Sequence, residues 1–205
     1  MERECNFVAM MTFQQIKEHL SHFSAGIAGC GGLGSNCAVA LARCGIGKLV
    51  LADFDVIQES NLNRQYFFFD QIGQKKVDAL AVNLMRIRPD LIIEKHDVLL
   101  SPENIPGIFR DCHVVVEAFD LAEMKQMIIE TVLSNMPDIP LVSGVGLAGF
   151  GHSERFRRIC SGQLTVCGDL ETEVSDQMPP LAPAVSIVAN MEADTVIEIL
   201  LNKGL

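Results

Sequence analysis

Apolar residues fall into two kinds of segment that alternate along the chain. Short apolar runs predict buried strands, whereas apolar residues at helical spacing, such as Phe13, Ile16 and Leu20, predict helices. The predicted strands cover residues 24–28, 48–52, 91–94, 113–118 and 140–145. The predicted helices cover residues 12–22, 35–44, 77–87, 102–110, 121–134 and 183–201. Since most of these strands are apolar on both faces, the pattern indicates an α/β protein with a mostly parallel sheet and helices on both of its faces.

Residues 146–182 interrupt this alternation. They are rich in glycine and proline and carry acids at positions 169, 171, 173 and 176. A long irregular stretch in a compact chain is typically a functional loop or a lid. The segment 183–201 that follows is apolar almost all round, which predicts deep packing or a subunit interface. Because no repeat or low-complexity linker divides the chain, we expect a single domain over residues 1–205, with residues 1–23 holding its N-terminal helix.

The composition is that of a folded, acidic protein. The 205 residues are 49% hydrophobic and 20% charged, which excludes a disordered chain. With 26 acidic against 16 basic residues, the net charge of −10 disfavours sequence-independent binding to nucleic acid. The N-terminus opens with Met1-Glu2-Arg3-Glu4 and lacks the apolar run of a signal peptide, and no apolar stretch reaches the length of about 20 residues that spans a bilayer. We therefore expect a cytoplasmic protein that binds neither nucleic acid nor membrane.

The cysteines predict neither a zinc site nor a disulfide framework. Seven are present, an odd number, and no two are spaced as Cys-x-x-Cys. Structural zinc takes thiolates in close pairs, and a disulfide framework takes an even set. The simplest interpretation is a set of buried thiols, in which Cys30 fills space within a turn.

A glycine-rich turn follows the first predicted strand. The run from Gly29 to Gly34 fits G-x-G-x-x-G between a strand and a helix, as in Rossmann-like folds. The first glycine of this pattern allows the tight turn, the second lets a phosphate approach the backbone, and the third lets the helix pack on the strand. Asp53 ends the next strand, where an acid can hydrogen-bond ribose hydroxyls. The context favours a nucleotide site over a purely structural turn and leaves NAD, FAD and ATP open.

Charged residues beyond Asp53 favour a triphosphate. An NAD site does not need cations such as Arg64 and Lys76 near the ribose acid. A triphosphate does need them, because its negative charges must be neutralised. A further buried strand delivers Glu117 and Asp120 to its carboxyl end, where an acid can hold Mg²⁺ that bridges phosphates. Taken singly, each residue has another interpretation. Arg64 and Lys76 could be solvated surface residues, and Asp120 could be the N-cap of the following helix. Together, at one edge of the sheet, they favour binding of phosphate and metal.

Taken in order, these motifs resemble those of the ThiF/MoeB adenylyltransferases, relatives of the ubiquitin-activating enzyme. The resemblance rests on Gly29–Gly34, Asp53–Asp55, Ser60–Gln65, Gly73–Lys76 and Asp120. It runs from about residue 24 to residue 150 and resumes with Pro180–Pro183 and the final helix. The compact length, the glycine-rich turn Gly144–Gly149 and the missing zinc cysteines are similar to the short branch of ThiF, which is associated with thiamine biosynthesis.

The resemblance implies an ATP-dependent reaction on a small protein. Such an enzyme binds Mg-ATP, and the C-terminal glycine carboxylate of a ubiquitin-like sulfur carrier, ThiS-like and ending in Gly-Gly, attacks the α-phosphorus. The products are an acyl-adenylate, which then accepts sulfur, and pyrophosphate. Transfers of this kind need positioning and charge neutralisation more than a protein nucleophile. The resemblance and the apolar final helix together predict a homodimer.

Motif position also assigns roles to residues. By resemblance, Asp53 holds the ribose, Asn61 joins Arg64 and Lys76 at the phosphates, and Asp120 carries Mg²⁺. Arg64, Lys76 and Asp120 are the expected catalytic set. The expected nucleotide-binding set is Gly29, Gly31, Gly32, Gly34, Asp53, Asp55, Asn61, Asn63, Arg64, Gln65, Lys76 and Asp120.

The chain departs from the family at two structural features. Many members bind structural zinc through two Cys-x-x-Cys pairs, which are absent here, so no zinc site is predicted. Many members also carry an N-terminal arginine that reaches the partner subunit's ATP. Residues 1–23 offer only Arg3 for this role, and Arg155, Arg157 and Arg158 are the candidates to replace it.

Sulfur handling and two alternative functions stay open at this point. Some members use a loop cysteine for sulfur, and Cys160 and Cys167 lie in the corresponding region, where inert packing is the alternative. The adenylated acceptor is alternatively a molybdopterin carrier or a modified tRNA. A different class of function, a nicotinamide-dependent oxidoreductase or a nucleotide-sensing module, uses the same glycine turn. The residues after position 150 are few for a substrate domain and offer only His152 as a proton donor, which disfavours the oxidoreductase.

Overall fold

The computed structural model of the protein describes residues 11–204. The α-helices described there are α1 (Phe13–Leu20), α2 (Gly32–Cys44), α3 (Lys76–Ile87), α4 (Ile105–Phe109), α5 (Ala122–Asn135) and α6 (Ala182–Leu201). The strands are β1 (Ser24–Ala28), β2 (Lys48–Ala52), β3 (Ile92–His96), β4 (Val114–Glu117), β5 (Leu141–Gly144), β6 (Arg157–Ser161) and β7 (Leu164–Gly168). Short 3₁₀ turns cover Glu59–Asn61, Phe69–Gln71 and Ser153–Arg155.

The strands described form one sheet in the order β3-β2-β1-β4-β5-β7-β6. All neighbours are parallel except β6 and β7, which are antiparallel. In the register of the central strands, Ile27 of β1 pairs with Leu51 of β2 and with Val116 of β4. The predicted α/β fold, a Rossmann-like and mostly parallel sheet of the ThiF/MoeB type, is confirmed.

Helices cover both faces of the sheet. Side chains of β4 alternate between two cores, because successive residues of a strand point to opposite faces. Val114 and Val116 pack with α1, α2, α3 and α6, whereas Val115 packs with α4 and α5. All four residues of β4 are buried, which is why the strand reads as a continuous apolar run.

Local sequence explains where several helices begin and end. Thr12 caps α1, since the Gln15 amide donates to Thr12 Oγ1 at 3.3 Å and the Gln15 side chain accepts from the Thr12 amide. Gly45 ends α2 in the left-handed conformation, with φ of +108°. Pro89 follows the end of α3, as expected for a residue that disfavours helix before it.

The segment 146–182 is more regular than predicted. It holds β6 and β7, a hairpin whose turn contains Gly162 at φ +59° and which extends the sheet beyond β5. The prediction missed β6 because all five of its residues are exposed, so they carry no apolar alternation. The helix predicted over 102–110 is also shorter, covering Ile105–Phe109. Arg3 and the start of the predicted N-terminal region lie outside the described residues.

The last helix packs deeply, which is one of the two alternatives that its apolar sequence predicted. Val185, Val188, Val196 and Leu200 of α6 are buried against α2 and the sheet, while Ile187 is exposed. None of the helices described between residues 11 and 204 combines the length and apolar character that crossing a bilayer requires.

Candidate functional site

The turn after β1 brings the chain close to the end of β4. Gly29 has φ of +94°, and a Cβ at this position would lie 3.0 Å from the Ala118 carbonyl oxygen. A Cβ on Gly34 would lie 1.9 Å from the Gly29 oxygen, so only glycine lets α2 begin this close to β1. The first amides of a helix have no partner within it and bear partial positive charge. The turn therefore presents an anion-binding position at the carboxyl end of β1.

Asp53 connects this turn to the residues after β2. Its Oδ2 accepts the Cys30 amide at 2.6 Å, and its Oδ1 accepts the Asp55 amide at 2.8 Å. Burial raises the pKa of Asp53, while Lys76 and the two amide hydrogen bonds oppose that rise. The carboxyl group is thus held in a fixed orientation at the edge where β1 and β2 end.

Two cations belong to the chain that follows β2. Lys76, the first residue of α3, is buried and its Nζ lies 2.6 Å from Asp55 Oδ2. Arg64 Nη1 donates to the Ser60 carbonyl at 3.2 Å and to Asn63 Oδ1 at 2.8 Å. Both acceptors of Arg64 are neutral oxygens, so its guanidinium charge remains available to an anion.

Gln65 and Asp120 contribute oxygen atoms. Gln65 Oε1 is buried and has no hydrogen-bond partner among residues 11–204, and the side-chain amide nitrogen would lie 3.6 Å from a Cβ on Gly31. A buried acceptor without a donor is costly, so this position suits a donor from a ligand. Asp120 is exposed, and the N-cap of α5 is Leu121 with no side-chain cap. The N-cap alternative for Asp120 is therefore wrong.

These groups line a cleft of about 330 Å³ at the carboxyl ends of β1, β2 and β4. The predicted residues that line it are Gly29, Gly31, Gly32, Asp53, Asp55, Arg64, Gln65, Lys76 and Asp120. Distant parts of the sequence thus converge at one sheet edge, as expected for ligand sites of parallel α/β sheets.

Three predicted residues are not among those that line the cleft. Gly34 lies beneath the turn, against Gly29. Asn61 Oδ1 accepts the Gln58 amide at 3.0 Å and so caps its own 3₁₀ turn. Asn63 contacts the Pro180 carbonyl at 3.4 Å and accepts from Arg64. The two asparagines therefore shape the loop that carries Arg64.

An apolar wall of the cleft was missed by sequence reasoning. It is formed by Phe54, Val98, Leu99, Leu100, Phe119, Leu121 and Met124. Leu99 and Phe54 are about half exposed, at 55% and 50%, although both are large apolar residues. The sequence signal that could have revealed this wall is the apolar run Val98–Leu100 shortly after β3. Ligands of parallel α/β sheets bind beyond the carboxyl ends of the strands, so apolar residues there are candidates to line a ligand site.

The arginines of the segment 146–182 are all in ion pairs. Arg155 Nε lies 2.9 Å from Asp169 Oδ2, and Arg157 Nη2 lies 3.6 Å from Glu171 Oε1. Arg158 pairs with Glu198 of α6. These contacts tie each candidate replacement for Arg3 to its own subunit.

The cysteines of the hairpin differ in exposure. Cys160 on β6 is exposed, whereas Cys167 on β7 is buried and burial raises the pKa of its thiol to about 11. Burial, followed by the charge of Asp53, also raises the pKa of Cys30 well above its usual value, so this thiol packs in its neutral form. Among residues 11–204, no three His, Cys, Asp or Glu side chains are grouped to hold a metal ion.

The chain is similar to ubiquitin-like modifier-activating enzyme 5 of several organisms. The Xenopus laevis protein is 28% identical over 91% of this chain and 53% of its own length. The Branchiostoma floridae protein is 31% identical over 83% of this chain and 42% of its own length. The chain thus spans about half or less of the length of these relatives.

Solved structures share the fold. E. coli tRNA N6-threonylcarbamoyladenosine dehydratase, TcdA, in complex with AMP, has a TM-score of 0.81 at 20% identity, over 90% of this chain and 88% of that chain. E. coli MccB with ATP has a TM-score of 0.70 at 20% identity, over 92% and 60% of the two chains. The ThiF family model matches residues 3–205, which is nearly the whole chain. The protein therefore belongs to the ThiF family.

Proposed function

We propose that this protein binds ATP in the cleft and adenylates the C-terminal glycine of a small ubiquitin-like sulfur carrier, ThiS-like and ending in Gly-Gly, in thiamine thiazole biosynthesis. The observation that carries the proposal is the convergence of a glycine turn, Arg64, Lys76 and Asp120 around a cleft with one apolar wall. This combination suits a nucleotide with several phosphates better than NAD, because two cations and a free carboxylate face the position of the phosphates.

Each part of the nucleotide has a matching part of the cleft. The base packs against the apolar wall, of which Leu99 and Phe119 are members. Asp53 accepts the ribose hydroxyls, since each of its oxygens has a lone pair left after accepting one amide. The phosphates lie between the amides of the glycine turn and the cations Arg64 and Lys76.

The charges of the cleft favour entry of the triphosphate with Mg²⁺. Asp53, Asp55 and Asp120 face only two cations, Arg64 and Lys76, so the cleft offers no net positive charge. Asp120 fits a magnesium ligand, because it is an exposed carboxylate and Mg²⁺ is usually bound by one or two carboxylates together with phosphate oxygens. When bound, Mg²⁺ supplies neutralisation of phosphate charge.

The reaction requires no nucleophile from this chain. An oxygen of the carrier's C-terminal carboxylate forms a bond to the α-phosphorus, and the bond from that phosphorus to the bridging oxygen of the β-phosphate breaks. The electron pair leaves with pyrophosphate, and the acyl-adenylate remains. Since the carboxylate is already ionised, no proton moves in this step. Arg64 and Lys76 hold the phosphates and offset the charge that develops on the leaving group.

Several further parts of the proposal concern partners. The names of the relatives, ubiquitin-like modifier-activating enzymes, support a ubiquitin-like protein as the acceptor. We propose a cytoplasmic homodimer.

Cys160 is the more suitable thiol to handle sulfur, because it is exposed, whereas the raised pKa of Cys167 keeps that buried thiol protonated.

Exchange of labelled pyrophosphate into ATP tests the proposal. With a purified ThiS-like carrier ending in Gly-Gly, exchange should depend on that carrier, and removal of its last glycine should abolish it. Asp120→Asn and Arg64→Ala should each lower exchange by at least about a hundredfold while the fold is retained, in line with loss of a charge-stabilising contact. Full activity in both variants would refute the assignment. Thermal stabilisation by NAD, but not by ATP with Mg²⁺, would favour the oxidoreductase class instead.

The second candidate is adenylation of a carboxylate on modified tRNA. The similarity to TcdA over most of both chains favours it. The net charge of −10 disfavours it, because tRNA binding requires a basic surface. Exchange stimulated by tRNA at low salt, and not by the carrier, would identify this acceptor.

A further inference from the structure

A buried ion pair lies behind the cleft, outside the residues that line it. Lys125 of α5 donates from Nζ to both carboxylate oxygens of Glu117, each at 3.0 Å, and to the Gly144 carbonyl at 2.8 Å. Glu117 is fully buried and the Lys125 side chain is 18% exposed. The ammonium group thereby joins the carboxyl ends of β4 and β5.

Glu117 in turn fixes the chain that leaves β4. Its Oε1 accepts the Phe119 amide at 2.7 Å, and its Oε2 accepts the Ser143 hydroxyl at 2.5 Å. Residues 118–121, here called the β4 turn, also bond to β1 through the Ala118 amide, which donates to the Ala28 carbonyl at 2.9 Å. The β4 turn supplies Phe119 and Asp120 to the cleft. The backbone that carries Asp120 into the cleft is therefore anchored by a carboxylate that Lys125 holds.

Glu192 of α6 is the other acid beside this ion pair. Burial raises the pKa of Glu192 well above its usual value, and the charge of Glu117 adds to that rise while Lys125 opposes it. Neither carboxyl oxygen of Glu192 has a hydrogen-bond partner among residues 11–204. A neutral Glu192 does not compete for the ammonium group, so Lys125 stays with Glu117.

We propose that Lys125 is a positioning residue for Asp120, acting through Glu117 and the β4 turn, so that it sets the affinity of the nucleotide complex for Mg²⁺. The inference rests on the proposed function, since it takes Asp120 as the magnesium ligand. Mutation of a partner that orients a metal ligand from behind typically lowers metal affinity by about 10–100-fold. Lys125 is not among the residues that line the cleft, so its proposed effect is on geometry.

The test measures the Mg²⁺ dependence of ATP binding by titration calorimetry, without reference to turnover. In Lys125→Met, we expect the Mg²⁺ concentration at half-maximal ATP binding to rise about tenfold. Binding of ATP in EDTA should remain as in the wild type. Lys125→Arg, which keeps a cation against Glu117, should recover most of the shift. Lys95→Met is the matched control, because it removes an exposed ion pair with Asp78 on β3 and α3, away from the cleft.

Removal of Lys125 alone leaves a buried unpaired carboxylate, which can prevent folding. The double variant Lys125→Gln with Glu117→Gln avoids that lone charge and should show the same rise in Mg²⁺ requirement. In an Asp120→Asn background, Lys125→Met should add no further shift. A folded single or double variant with the Mg²⁺ dependence of the wild type overturns the inference alone. A wild-type protein whose ATP binding ignores Mg²⁺ overturns the proposed role of Asp120, and the inference with it.

Discussion

At the scale of single residues, Glu192 is a buried acid whose carboxyl oxygens have no hydrogen-bond partner among residues 11–204. It lies in the apolar helix α6, fully buried, and the groups that face it are Lys125 and Glu117, with the thiols of Cys37 and Cys167 nearby. Since its pKa is higher in the folded than in the unfolded protein, the folded state binds more protons above about pH 4.5. Stability from this group is present below that pH and is lost as pH rises through the folded pKa.

Glu192→Gln removes this titration and keeps the shape of the side chain. We expect the free energies of unfolding of variant and wild type to be similar at pH 5, where the acid is neutral in the folded protein. At pH 8 the variant should be the more stable, because the wild type must ionise a buried group or bind a proton to keep it neutral. Urea denaturation at both pH values measures the difference. Parallel pH profiles for the two proteins would contradict the assignment of a neutral Glu192.

The sequence predicts motif residues better than it predicts such buried partners. Asp53, Arg64 and Lys76 could be predicted because each follows a strand at the edge where the glycine turn lies. The setting of Glu192 could not, because its neighbours Lys125 and Glu117 come from other elements of the sheet and its helices. The spacing of apolar and polar residues reports on a single helix or strand, whereas these contacts depend on how helices and strands pack together.

At the scale of elements, Asp169 organises the segment after the β6–β7 hairpin. Its carboxylate accepts the amides of Glu171 and Thr172 at 2.9 Å each, accepts the Thr172 hydroxyl and pairs with Arg155. Arg155 also donates to the Ala148 carbonyl at 2.7 Å. Although burial opposes ionisation, hydrogen bonds from Thr172 and Glu171 keep the pKa of Asp169 below its usual value. One acid thus joins the two ends of the hairpin.

Asp169→Asn should lower the free energy of unfolding at pH 7 by about 2 kcal/mol, the usual contribution of hydrogen bonds to a charged group. Because the depressed pKa supplies stability that is lost as pH falls through it, the difference from wild type should shrink below about pH 3.8. Urea denaturation across this range measures both effects. Asp176→Asn, which changes an exposed acid of the same segment, should shift stability by less than about 0.5 kcal/mol. Equal losses in the two variants would refute the special role of Asp169.

Burial explains which elements the sequence predicts. The parallel strands β1, β2, β4 and β5 are covered on both faces, so their apolar runs locate them. β6 lies at the edge of the sheet and all of its residues are exposed. It pairs with β7 through backbone hydrogen bonds, which do not require an apolar sequence. The apolar wall of the cleft was missed for a related reason, since Leu99 is about half exposed and faces the cleft rather than the core.

At the scale of the whole molecule, an exposed apolar patch lies in the connection between β2 and α3. Phe68 and Phe69 lie between β2 and α3, with exposures of 45% and 75%. Ile72 of the same connection is exposed as well. A folded domain seldom leaves such a surface in water, so these residues provide apolar area for the proposed homodimer.

Light scattering coupled to size-exclusion chromatography measures the assembly directly. We expect a mass of about 45 kDa, twice the 22.4 kDa of the chain, at micromolar concentration. Phe69→Ser should shift the mass toward one chain on dilution, because it removes apolar area from the interface. Phe150→Ser is the matched control, since Phe150 is exposed to a similar degree in the segment 146–182 and its loss should leave the mass unchanged. A wild-type mass of one chain would exclude the homodimer, and dissociation by Phe150→Ser alone would move the interface to the hairpin side of the molecule.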